Sequence, residues 1–264
     1  TDIRDVVEGQ THLTTHQKCD LLDILQCHQK LFDGTLGIYP HKKVHIKIEP
    51  GTKPVHVQPY PMPCIQFSMY KHELDHLCDL GVLVCQQESE WASPSLIIPK
   101  KDGSVRWISK LQQLNKVIMC KQYPLPVITD ILCKRIGYKF FTKLDISMQY
   151  YTFELDEESQ NLCTIITPFG KYKYTRLPMG LKCSPDIAQS VVENVLSGID
   201  VADIFIDDVG AFSSSWQDHL TLIDIILCHL CDNRFTVYPL KCKWAVQEMD
   251  WLLYWLTPHC LNSW

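Results

Sequence analysis

The sequence predicts an α+β domain in which an antiparallel sheet packs on helices. Three observations carry this. Short apolar and aromatic runs are joined pairwise by turn-forming residues, as in SPSLIIPKKDGSVRWIS and ADIFIDDVGAFS. Helical patterns with recognisable starts and stops lie between those hairpins. Strands and helices are therefore intermixed, while the strands join largely through hairpins rather than crossovers.

Residues 1–60 combine a short helical pattern, Gln17 to Phe32, with KKVHIKIEPGTKPVHVQPYPMP. That segment alternates like an extended strand and breaks at its prolines, so it is predicted to be a connector. Leu74, Leu77 and Leu80 recur at helical spacing over 68–80, and Gly81 supplies a stop. SPSLIIP and SVRWIS read as two strands around KKDGS. Another helix is predicted over 127–136, closed by Gly137. YKFFTKLD (138–145) reads as a strand ending on Asp145, and LCTIIT pairs with YKYTRL across PFGK. SPDIAQSVVENVLSG has Ser184 to cap a helix, Pro185 in its first turn and Gly198 at its end. A long helix is predicted from about Trp216 to Asp232.

Composition narrows the class. The chain is 46% hydrophobic and 21% charged, ordinary for a globular protein. No apolar run approaches the roughly 20 residues that span a bilayer, so no membrane partner is expected. The opening TDIRDVVEGQ is polar and lacks a signal-peptide core. It begins without Met and the sequence stops abruptly at Trp264, which suggests a piece of a longer polyprotein. The 13 cysteines follow no framework spacing and are expected to be reduced thiols of an intracellular protein. Cys228 and Cys231, with Cys242, His259 or Cys260, could suggest zinc, although a helical pattern around the pair favours incidental thiols. Net charge is −5, yet residues 100–182 carry 14 Lys/Arg against 7 Asp/Glu. Such a basic middle suits phosphates, or is simply a solvated face.

The chemistry rests on carboxylates. Asp207 and Asp208 interrupt an apolar stretch. Adjacent carboxylates repel, so the pair is costly without a cation, and hard oxygen ligands suit Mg²⁺. A hairpin turn is the plainer reading of two aspartates, but the glycine comes two residues after Asp208 rather than next to it. Asp145 would supply a third carboxylate if its strand neighbours the hairpin. Two such ions about 4 Å apart would activate an attacking oxygen and stabilise a leaving one.

WASPSLIIPKKDG, LNK, QYPLP, FFTKLDISMQYY, TPFGKYKYTRLPMGLKCSP, FIDD and KCKWAVQEMDWL occur in this order. Together they resemble the reverse transcriptases of Gypsy-type LTR retrotransposons over about residues 35–264. FIDD stands where that family has its Tyr-x-Asp-Asp box. The resemblance implies a right-hand polymerase fold with fingers and palm and without a thumb: a connector at 1–60, fingers at 61–120 and 153–183, palm at 121–152 and 184–264. It implies an RNA-directed DNA polymerase in which Asp145, Asp207 and Asp208 are catalytic and hold two Mg²⁺ ions, Mn²⁺ being a possible substitute. Lys100 and Arg106 would hold the dNTP triphosphate. Ile146, Tyr150, Met179 and Gly180 would line the nucleotide pocket, with Tyr150 excluding a ribose 2′-hydroxyl. Trp251, Leu252, Leu253 and Tyr254 would grip the primer end. Implied partners are an RNA or DNA template with its primer, dNTP, and the protease, thumb, RNase H and integrase of a polyprotein, in a cytoplasmic particle or the nucleus.

The chain departs from the family pattern where Lys110 and Gln112 replace Asp and Arg, where Leu253 replaces a turn Gly, and at Cys64, Cys133, Cys228 and Cys231. These departures motivate the alternative of a decayed or repurposed copy that only binds nucleic acid or protein.

Overall fold

The structure, a computed structural model, describes the chain except residues 1, 102, 136, 253, 259, 260 and 264 and the side chains of 261–263. It divides into two compact units: Thr1–Gly37, Tyr123–Gln149 and Asp186–Trp264 form the first, Ile38–Gln122 and Tyr150–Pro185 the second. The stretch 1–60, expected as one connector, is thus shared between them. Its first part has helices of its own, Ile3–Glu8 and Thr15–Cys27, the latter opened by a reciprocal capping box between Thr14 and Gln17.

The first unit is built on a four-stranded antiparallel sheet. Phe140–Asp145 is central, between Asp208–Ser213 and Lys243–Val246, and Ala202–Phe205 lies outside Asp208–Ser213. Phe141 and Leu144 point to opposite faces of the central strand and both are buried, opposite Phe212 and Val209 across the ladder. The long helix Trp216–Asp232 packs on these two strands. Ser215 caps it, and its apolar stripe, Leu220, Ile223, Ile226, Leu227 and Leu230, is buried.

A second cluster joins Ile131, Leu132, Phe141, Phe212, Met249, Trp251 and Leu256. Gly210 makes it possible. A Cβ at that position would stand 2.8 Å from Trp251 and 2.9 Å from the Phe212 ring. The predicted helix at 127–136 is shorter, Ile128–Cys133. Arg135 leaves it to donate to the Asp203 carboxylate (2.5 Å) and the Asp200 carbonyl (2.7 Å).

The second unit holds a five-stranded sheet in the order Leu83–Cys85, Gly170–Tyr174, Thr164–Thr167, Ser93–Pro99, Val105–Ser109. All neighbours are antiparallel except the short parallel pairing of 93–94 with 165–166. The helix Phe67–Asp79 turns Tyr70, Leu74 and Leu77 inward and ends before Gly81, whose φ of 71° suits only a glycine comfortably. Tyr70 packs against Trp107 with tilted rings 4.8 Å apart, and the Trp107 indole N–H donates to the Tyr174 hydroxyl at 3.0 Å. The extended segment around 44–56 pairs only in single bridges, Val44 with Leu155, Ile48 with Ile118 and His56 with Ala92. Pro50 and Pro54 break it before a ladder can grow. The turn predicted at PFGK tightens to Pro168 and Phe169, and Gly170 already begins its strand. Two further short helices, Gln112–Val117 and Glu157–Leu162, escape periodicity because each is under two turns long.

His219 lies fully buried in the first unit, between the Thr142 hydroxyl (2.8 Å) and the Ser213 hydroxyl (2.5 Å). Burial without a carboxylate partner lowers its pKa to about 4. A folded-state value below the unfolded 6.5 means that the unfolded chain binds the proton first. His219 therefore favours the fold above pH 6.5, and that contribution disappears as pH falls toward 4. Thermal melts should show a steeper loss of Tm between pH 6.5 and 4 for the natural chain than for His219→Gln; parallel pH profiles would refute this.

Candidate active site at the end of the central strands

The register of the first unit sets Asp145 directly across from Asp208. Directly paired residues share a face of a sheet, so both carboxyls rise from one side. Asp207 precedes Asp208 in the turn, and its carbonyl accepts the Ile146 N–H at 3.0 Å. Asp145 is half-buried and its pKa is raised. Burial is the largest cause, the Lys241 ammonium opposes it, and the charges of Asp207 and Asp208 add to it. Asp208 is raised as well, by burial first, against Lys143. Three carboxylates from two distant segments therefore act on one another here. Lys143 Nζ lies 3.5 Å from Asp208 and Lys241 Nζ 3.9 Å from Asp145. The three aspartates are not gathered within 4.8 Å of one another, consistent with mutual repulsion and with lysines as counter-charges.

The turn before the aspartates is strained and clamped. Ile206 has φ 56°, a region that costs a β-branched residue of order 1–3 kcal/mol. The fully buried Gln189, on helix Ser184–Val195, donates to the Ile204 carbonyl (2.9 Å) and accepts the Ile206 N–H (2.7 Å). Gln149 donates to the Ile206 carbonyl at 2.8 Å. Both glutamines escape a motif search focused on charged groups. The signal for Gln189 was a lone amide on the buried stripe of a helix. Behind Asp145, the buried Cys242 thiol accepts the Asp145 N–H at 3.4 Å, and the Asp145 carbonyl accepts from Tyr238 at 3.0 Å.

Ile146 is buried, and beyond its bond to Asp207 it bridges to Val237. In the same unit, Trp251 and Tyr254 are partners across the turn of hairpin Met249–Trp251 and Tyr254–Leu256. Leu253 lies outside the described residues. The positive φ falls on Leu252, at 54°. Trp251 is buried, against Gly210.

The remaining candidates belong to the second unit. Lys100 and Arg106 are exposed on one hairpin. Lys100 opens its turn by donating its N–H to the Ser104 carbonyl, and Arg106 pairs with Ile98. Met179 is exposed, and Gly180 has φ 103°. Their loop is pinned by Asn115 of the LNK motif, which donates to the Gly180 carbonyl (2.8 Å) and accepts from the Lys182 N–H (2.9 Å). Asn115 is a further positioning residue, one that the motif named without a role. Tyr150 opens the short 3-10 turn Tyr150–Thr152. Lys110 donates its N–H to the Pro94 carbonyl, and Gln112 begins a helix on the surface.

Among the described residues, Cys228, Cys231 and Cys242 of the zinc alternative do not come together, as the favoured reading of incidental thiols implies. Cys228 and Cys231 lie on helix Trp216–Asp232, Cys242 is engaged at Asp145, and His259 and Cys260 fall outside the described residues. Every cysteine among the described residues is a free thiol.

Comparison with known proteins follows the same lines. The family described as reverse transcriptase (RNA-dependent DNA polymerase) matches residues 98–256. The retrovirus-related Pol polyprotein from transposon 297 of Drosophila melanogaster is 27% identical over 221 residues, covering 81% of this chain and 21% of that protein. The corresponding polyprotein from transposon 412 of the same organism is 28% identical over 208 residues, covering 76% of this chain and 17% of that protein. The chain thus spans about a fifth of the length of the curated relatives it matches. Among solved structures, the foamy viral protease-reverse transcriptase in complex with an RNA/DNA hybrid superposes with a TM-score of 0.91 at 18% identity, covering 100% of this chain and 36% of that one. The same enzyme in complex with double-stranded DNA gives 0.90 at 20% identity, covering 100% and 56%. The fold is that of a right-hand polymerase, fingers and palm. With more than half of its length matched by the family, the chain belongs to the reverse transcriptases.

Proposed function

We propose that the chain is the reverse transcriptase domain of a Gypsy-type retrotransposon polyprotein, and that it extends a primer 3′-hydroxyl with dNTP on an RNA or DNA template. The observation that carries this is the pairing of Asp145 with Asp208, with Asp207 beside it. Two raised, half-buried carboxylates and a third acting on them form an all-oxygen donor set that suits Mg²⁺ or Mn²⁺. Asp145, Asp207 and Asp208 would hold the two ions. When bound, such ions supply Lewis-acid activation of the attacking oxygen and charge stabilisation of the leaving one.

The chain's own residues bind and orient. Lys100 and Arg106 present a point charge and a planar fork to the triphosphate. Tyr150, Met179 and Gly180 of the second unit would line the nucleotide pocket, with the Tyr150 ring excluding a 2′-hydroxyl. Leu252, Leu253 and Tyr254 would hold the primer end, on a hairpin that the buried Trp251 anchors to the core. Residues 61–120 and 153–183 act as fingers, and 121–152 and 184–264 as palm. The relatives named as Pol polyproteins support a larger parent protein, and the foamy viral complexes support nucleic-acid duplexes as partners. Leu253, which stands where the family pattern has a turn glycine, and the positive φ of its neighbour Leu252 favour a second reading: a copy that binds duplex without extending it.

Primer extension on an RNA template with Mg²⁺ decides between the two. Extension supports the first reading. Retained duplex binding without extension supports the second. Asp145→Asn and Asp207→Asn should abolish extension without lowering Tm, since each removes a charge from a repelling group; wild-type rates in either would reject the assignment. Tyr150→Ala should raise rNTP incorporation relative to dNTP, and an unchanged ratio would remove its selective role. Gln189→Leu removes the partner of the Ile206 N–H, which is half-buried, and one acceptor bond of the buried Ile204 carbonyl, at a cost of about 1–3 kcal/mol. Urea melts should show that loss, and the folded fraction should extend primers at least tenfold more slowly. Unaltered extension would mean that the clamp does not position the aspartates.

A further inference from the structure

The long helix Trp216–Asp232 carries a side-chain group that the polymerase reading does not use. Asp224 and Cys228 are one turn apart and share a face. His28, which closes helix Thr15–Cys27, packs against them from elsewhere in the same unit. Its Nε2 lies 2.7 Å from Asp224 Oδ1 and 3.8 Å from Cys228 Sγ. One ligand atom from each residue falls within 4.8 Å of the other two, and no other His, Cys, Asp or Glu group among the described residues does the same.

We propose that His28, Asp224 and Cys228 form a zinc site that fastens the end of the 15–27 helix to the 216–232 helix. In tetrahedral zinc the bonds to nitrogen, oxygen and sulfur are about 2.0–2.3 Å, which sets neighbouring ligand atoms about 3.4–3.5 Å apart. The separation of Cys228 from His28 is already close to this. The separation of Asp224 from His28 must open by about 0.7 Å. Asp224 is half exposed and moves easily, whereas His28 is buried. Its backbone is held, the N–H by the Leu25 carbonyl and the C=O by the Leu31 N–H. One fixed imidazole and two adaptable ligands make a workable site, with water as the fourth ligand. An imidazole, a thiol and a carboxylate together select a borderline-soft ion such as zinc over Mg²⁺.

Approach is open and electrostatically favourable. A groove beside the group is lined by Asp20, Asp23, Cys27 and Asp224, so cations are drawn there. Zinc must displace the Cys228 proton to solvent, because the thiolate is the ligand. A His–Asp hydrogen bond alone accounts for the 2.7 Å contact, but it does not require a thiol beside it.

The test uses the whole chain, reduced with a phosphine that does not bind zinc. Zn²⁺ and Co²⁺ are titrated separately, and bound metal is measured after desalting. The expected result is one equivalent bound, a thiolate-to-cobalt absorption band, and a rise in Tm with Zn²⁺. Cys228→Ser should abolish the band and the Tm rise. Asp224→Asn and His28→Gln should weaken binding at least tenfold, and Cys231→Ser should change nothing. Cys228 is exposed, so its replacement leaves the core intact, and circular dichroism verifies this. Binding that persists in Cys228→Ser, binding that is lost in Cys231→Ser, or no stoichiometric binding at all would overturn the proposal. None of these readouts depends on polymerase activity.

Discussion

The pairing of Phe140–Asp145 with Asp208–Ser213 governs the first unit. One register places Asp145 across from Asp208 at one end and Phe141 across from Phe212 near the other. Because side chains alternate along a strand, a slip of one residue would send the phenylalanines to the wrong face and separate the carboxyls. Burial of the aromatic pair thus enforces the juxtaposition of the acids. Apolar packing is the favourable term, and the crowding of charge at the strand end is the opposing one that it overcomes.

Polar groups in the interior refine what the apolar ones begin. Gln189 and Gln149 hold a backbone conformation that Ile206 would not adopt unaided. His219 stays neutral between two hydroxyls and ties the central strand to the long helix. Each donor and acceptor is directional in a way that hydrophobic contact is not. These groups therefore determine where the turn points, while the core determines only that the strands meet.

Much of this was readable in the residues. The long helix, the hairpin around the aspartates and the strand ending on Asp145 follow from periodicity, capping and turn chemistry, and the ordered motifs led to the family. What escaped has physical reasons. The extended segment at 44–56 looks like a strand but pairs in isolated bridges, since prolines remove donors from any ladder. Gln149 and Gln189 are invisible to a search for charged groups, because their role depends on which carbonyl lies opposite. His28 and Cys228 are 200 positions apart, so only the packed helices bring them together. Leu252 takes a positive φ of 54°, which no turn residue in WLLY announces.

The division of the chain has a bearing on its synthesis. The second unit lies wholly within 38–185, whereas the first draws on both ends and the middle. As the chain leaves the ribosome, every residue of the second unit emerges before the first unit can be completed. The strand Phe140–Asp145 then waits with both edges unpaired until Asp208–Ser213 and Lys243–Val246 follow. An apolar strand so exposed is a hazard for association between nascent chains. A truncation before residue 208 would leave that strand permanently without either partner.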